Sequence, residues 1–134
     1  YLNIKNTNIS YLLPNFNKLK YLNIDNTNIK KIYQYKQLKK LSCNNTDIEI
    51  LPYKLFKLEY LSCSNTKILY LSKNYNKLKY LNISNTNIYK IPEYYINLIK
   101  LNASKTDIEY IPPTLKNIEY LNISKTEISR NTKP

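Results

Sequence analysis

The chain has 134 residues, enough for one domain with a substantial core, and carries 21 basic against 9 acidic residues for a net charge of +12. It contains no Gly or His and only two Cys. That excludes a Gly-built phosphate loop, a His-dependent nucleophile and a disulfide-built framework. No run approaches the roughly 18–20 apolar residues of a membrane span.

Every basic residue except Arg130 is Lys, and Asn, Lys, Ile and Tyr are abundant. Those amino acids have AT-rich codons, so part of the positive charge is expected from composition alone. There is no Met, so the chain is read as an excerpt of a longer protein or a processed product.

The first element starts inside a strand, YLNIKNTNIS, and points Leu2, Ile4, Thr7, Ile9 and Leu12 inward, with Pro14 after them and Phe16 on the return. The second, LKYLNIDNTNIKKI from Leu19, repeats this with Leu22, Ile24, Thr27, Ile29 and Ile32. It has Tyr33 in the proline position and is one residue shorter. The third (LKKLSCNNTDIEILP from Leu38), fourth (LEYLSCSNTKILYLS from Leu58), fifth (LKYLNISNTNIYKIP from Leu78) and sixth (LIKLNASKTDIEYIP from Leu98) follow. The seventh, IEYLNISKTEIS from Ile118, is expected to reach Pro134 without a return segment.

Within each unit the alternation of Tyr80, Leu81, Asn82, Ile83 and Ser84 has period two, the pattern of a strand with one buried face. A single unit cannot fold. Burying an aliphatic side chain gains roughly 1.5–3 kcal/mol, whereas ordering each residue costs about 1–2 kcal/mol in backbone entropy. The units must therefore stack. Their register is fixed: the first strand Leu falls at 2, 22, 41, 61, 81, 101 and 121, and Thr at 7, 27, 46, 66, 86, 106 and 126.

The spacing L-x-x-L-x-[ICA]-x-x-T-x-I-x-x-[IL]-P resembles the leucine-rich repeat, L-x-x-L-x-L-x-x-N-x-L, over about residues 1–130. Thr stands where that family usually has Asn. The resemblance implies an α/β-type repeat solenoid, right-handed and curved. Seven parallel β-strands would line the concave face, with extended or 3₁₀ turns on the convex side and one domain over residues 1–134. A Thr hydroxyl at that point is expected to bridge backbone groups within and between turns, replacing the Asn ladder. Phe16, Tyr35, Leu55, Tyr75, Tyr95 and Leu115 sit at one offset in the returns and should pack as a second spine. Pro14, Pro52, Pro92 and Pro112 turn the chain out of the strand layer.

Few residues offer chemistry. Cys43 and Cys63 fill an inward slot held elsewhere by Ile and read as small buried hydrophobes. They are too few to hold zinc without His. Asp25, Asp47, Asp107 and Glu127 are scattered over different repeats. Sequons at Asn8, Asn44, Asn82, Asn102 and Asn122 arise readily from an Asn- and Ser-rich repeat. No catalytic residue, metal or cofactor is expected.

The outward strand residues form columns. One reads Tyr1, Tyr21, Lys40, Tyr60, Tyr80, Lys100, Tyr120, and the next Asn3, Asn23, Ser42, Ser62, Asn82, Asn102, Asn122. Tyr gives contact area at low entropic cost and Asn gives adaptable hydrogen bonds. The candidate binding residues are therefore Tyr21, Asn23, Lys40, Tyr60, Tyr80, Asn82, Lys100, Asn102 and Tyr120. The expected function is a non-catalytic protein-binding module. Two alternatives stay open: a self-associating spacer with uncapped ends, and the substrate-recognition segment of a larger protein. Lysines scattered over the return segments, without Arg, disfavour nucleic acid.

Overall fold

The computed structural model describes residues 1–128; Arg130 and the expected end of the seventh unit at Pro134 lie outside the described residues. Seven short strands, β1 (Leu2–Asn3), β2 (Tyr21–Asn23), β3 (Lys40–Ser42), β4 (Tyr60–Ser62), β5 (Tyr80–Asn82), β6 (Lys100–Asn102) and β7 (Tyr120–Asn122), form one parallel sheet in chain order. The pairing joins Leu2 to Leu22, Leu22 to Leu41, and so on to Leu121, the register counted from the sequence. The skipped residue of the second unit therefore does not shift the sheet. It is absorbed in the return, where Ile32 to Tyr35 spans one residue fewer than Leu51 to Leu55 and the Lys54 amide bonds the Gln34 side chain across a separation of twenty.

Ladder bonding continues past the assigned strands. The Ile83 amide donates to the Asn102 carbonyl and the Asn85 amide to the Ser104 carbonyl, both at 2.9 Å. The return segments are extended and carry single turns closed by i→i+3 bonds, such as Tyr95 to Pro92 and Leu98 to Tyr95. These are isolated 3₁₀-type turns, since twenty residues leave no room for a helix.

The inward Leu and Ile form one core running the length of the stack, with Cys43, Cys63 and Ala103 in equivalent slots. Ile9 and Leu121 were also expected to face inward, yet they are 40% and 45% exposed. Each belongs to a terminal repeat covered on one side only in this chain. The second spine packs as expected, with Tyr35, Tyr75 and Tyr95 fully buried. Each phenol also reaches back to a carbonyl of the preceding repeat: Tyr35 to Leu13 and Tyr95 to Ser72 at 2.7 Å, and Tyr75 to Pro52. Burial, with Tyr33 adding a smaller effect, pushes Tyr35 up to about 12. A buried hydroxyl left without such a partner would cost about 1–3 kcal/mol. Among the described residues every buried side-chain polar atom has a partner.

Candidate functional site

Two hydrogen-bond systems fix the turn that ends each strand. The Thr hydroxyls donate to the carbonyl three residues earlier: Thr27 to Ile24 and Thr86 to Ile83 at 2.7 Å, Thr46 to Cys43 and Thr66 to Cys63 at 2.8 Å. This meets the expectation of a bridge within the turn. The expected link between repeats comes from the preceding residue instead. Asn6, Asn26, Asn45, Asn65 and Asn85 all adopt φ between 52° and 60°. That is the left-handed region, which Asn tolerates better than other residues with a Cβ. Their amides form a ladder: Asn26 donates to Asn6 at 2.6 Å, Asn45 to Asn26 at 2.7 Å, Asn65 to Asn45 at 2.6 Å, and Asn85 to Asn65. In the last two repeats Lys105 and Lys125 take the same φ.

The nine predicted binding residues all stand on the outward sheet face. Lys40, Tyr60, Tyr80, Lys100 and Tyr120 are direct cross-strand neighbours, as are Asn82 and Asn102. At the centre the rings of Tyr60 and Tyr80 lie parallel, 3° apart in plane with centroids 4.2 Å apart. The Lys40 ammonium sits 4.5 Å over the Tyr60 ring. Burial first, then the adjacent Tyr80, pushes the Tyr60 phenol up to about 12. Toward the first repeat, Tyr1, Tyr21, Lys40 and Ser42 help line a shallow cavity of about 260 Å³.

The Asn column is more committed to scaffold than its position implies. Asn23 accepts from the Asp25 amide, Asn82 from Ser84 and Asn102 from Ser104, at 3.0, 3.1 and 3.2 Å. Where Ser replaces Asn, the acceptor comes from the previous repeat. Asp25 takes the Asn44 amide at 2.7 Å and the Ser42 hydroxyl; Asn44 takes the Ser64 amide and the Ser62 hydroxyl at 2.8 Å. Ser42 and Ser62, expected outward, are consequently buried beneath these partners.

A second exposed ridge lies beyond the turn. Tyr11, Ile50, Tyr70 and Tyr110 occupy one repeat position, with Ile50 79% and Tyr70 68% exposed. The ridge borders cavities of about 640 Å³ beside Ile50 and Tyr53 and about 380 Å³ beside Tyr70 and Tyr89. Its sequence signal was a large apolar residue four positions after Thr, outside the strand columns. Among the described residues no group of three or more His, Cys, Asp or Glu could hold a metal ion, and no helix is long and apolar enough to cross a membrane.

No protein-family model and no curated protein matches the chain. Solved structures do. An internalin (inlF) of Listeria monocytogenes superposes with a TM-score of 0.82 at 24% identity over 90% of this chain. A leucine-rich-repeat protein of Leptospira interrogans gives 0.70 at 20% identity, over 82% of this chain. The functional domain of InlJ from Listeria monocytogenes, which includes a cysteine ladder, gives 0.63 at 22% identity, also over 82%. This chain covers 39%, 32% and 31% of those three chains. Seven register-locked parallel strands, a continuous Leu/Ile core and these superpositions together establish that the chain has the leucine-rich-repeat fold.

Proposed function

We propose that the chain is a non-catalytic binding module that holds a protein partner against its sheet face. The observation that carries this reading is the stack formed by Lys40, Tyr60 and Tyr80 at the centre of that face. Rings already packed against each other and against an ammonium have lost their rotamer freedom before a partner arrives. Contact with them then costs less ordering entropy than contact with mobile side chains. Asn82 and Asn102 lie on the same face; their side-chain oxygens hold the turn, and the Asn82 amide also donates to the Ser62 hydroxyl at 3.2 Å.

Photo-crosslinking tests the reading. A benzophenone side chain at position 80 should capture a discrete protein that one at position 70 does not. That protein, purified, should bind the native chain and lose at least about ten-fold affinity for the Tyr60→Ala, Tyr80→Ala variant, the loss expected of a buried aromatic anchor. Equal binding by the double variant, with its thermal transition unchanged, or capture from position 70 alone, would move the site to the Tyr70 ridge.

A further inference from the structure

The lysines are not scattered once the returns are folded. Each return runs into a strand along one edge of the sheet, here the leading edge. The five residues ending on the first residue of β2 to β7 read NKLKY, KQLKK, FKLEY, NKLKY, INLIK and KNIEY. They hold ten lysines and two glutamates, and every one of these lysines is exposed. The first four segments hold eight of the lysines and a single acid, Glu59. That acid is already matched: its carboxylate lies 3.2 Å from the Lys79 ammonium and 3.9 Å from that of Lys39. At the trailing edge, the seven-residue stretches beginning at residues 5, 25, 44, 64, 84 and 104, with 124–128, carry seven lysines and six carboxylates, against eleven lysines and two carboxylates in the seven residues ending on the first residue of β2 to β7. Codon bias enriches Lys everywhere. It does not explain why carboxylates gather at one edge and avoid the other.

We infer that the leading edge is a docking surface for an acidic protein segment lying across the starts of β2 to β5. The inference rests on the reading of the chain as a binding module and gives the partner its chemistry. Charge complementarity selects the occupant: rows of lysine repeat at the parallel-strand spacing of about 4.8 Å, beside the Tyr column of the sheet face. An extended acidic segment places carboxylates at a comparable pitch, about 6.5–7 Å between side chains on one side. Nucleic acid is the weaker fit. Base stacking needs open ring faces, and the central tyrosines cover each other and carry Lys40. Every cation at this edge is a Lys, a point charge without the bidentate fork that reads phosphate.

The test uses the whole chain and two probes, fluorescent polyglutamate and an oligothymidylate of equal charge, at low ionic strength. One variant carries Lys18→Gln, Lys20→Gln, Lys36→Gln and Lys77→Gln. Its control carries Lys5→Gln, Lys30→Gln, Lys67→Gln and Lys90→Gln, so both lose the same net charge. Polyglutamate should bind the native chain, weaken about ten-fold or more in the leading-edge variant, and change less than about two-fold in the control, as a local patch requires. Equal losses in the two variants, no binding of polyglutamate, or binding of oligothymidylate at least as tight as that of polyglutamate would each overturn the inference. Polyglutamate reads the edge alone, so its failure leaves the crosslinking result at position 80 standing, and the reverse also holds.

Discussion

The chain enters each strand by the leading edge of the sheet and leaves it by the trailing edge, and the two are built on opposite terms. At the trailing edge the side chains of the turn are spoken for. Thr bonds its own turn, Asn holds a left-handed φ and a rung of the amide ladder, and Asn or Asp accepts a backbone amide. At the leading edge the core is held by one buried Leu or Ile per repeat, such as Leu38, Leu58 and Leu78, while the residues around it project into water. The difference teaches where this sequence was free. Residues at the trailing edge are dictated by backbone geometry, whereas those at the leading edge answer to no internal partner beyond a few exposed pairs.

Substitutions that cross this division should separate the two edges, and four are ranked by expected effect. Thr86→Val keeps the shape but removes the donor to the Ile83 carbonyl, so urea unfolding should show a loss of about 2 kcal/mol, the cost of a buried group left unpaired. Asn65→Val forces a β-branched residue to the left-handed φ of 52° and breaks two rungs. It should cost about 1–2 kcal/mol, with Asn65→Gly recovering the share due to φ. A loss from Asn65→Gly equal to that from Asn65→Val would show that the ladder, not φ, sets the residue.

The third concerns pH. Burial raises the Cys63 thiol from 9.0 to about 12. The fold therefore holds it neutral, a contribution complete below pH 9 that is lost as pH climbs toward 12. Between pH 7 and 10 the native chain should lose about 1.4 kcal/mol through this group. Cys63→Ala, the residue that Ala103 already places in the slot, should remove that part of the slope. Last, Lys77→Gln at the leading edge should change stability by less than about 0.5 kcal/mol; a larger loss would mean that this edge, too, is structural.

Much of this architecture was legible because repetition let each position be read seven times. The strand register, the Leu/Ile core, the Thr bridge within the turn and the Tyr column all follow from period and offset. The rest needed three dimensions. The ladder was assigned to Thr because Thr stands in the usual Asn position, although an Asn immediately precedes it in five repeats. A chain without Gly gives no obvious sign of a left-handed turn, and Asn supplies it instead. Ser42 and Ser62 face outward by alternation, but a small side chain under Asp25 and Asn44 is buried all the same. The leading-edge lysines looked dispersed because the returns have no simple period; only folding them back brings Lys20, Lys39 and Lys79 onto one line. The Lys40–Tyr60–Tyr80 stack was legible as a column but not as a set of packed rings, since contact depends on rotamers.

The exchange of acceptors between Asp25, Ser42, Asn44 and Ser62 has an evolutionary consequence. A repeat with Asn at the end of its strand, like that of Asn82, satisfies its own turn and can be copied behind any neighbour. The repeats of Ser42 and Ser62 cannot, because the acceptor for their turns belongs to the repeat before them. The array therefore has a grammar, in which some words stand alone and others must follow a particular word. Growth by unequal crossing-over would be viable when it copies the unit from Asp25 to Cys63 as a phrase. A duplication that places Ser42 and Asn44 behind a repeat with Ser at the Asp25 position, such as that of Ser64, would strand the Asn44 amide in the new copy.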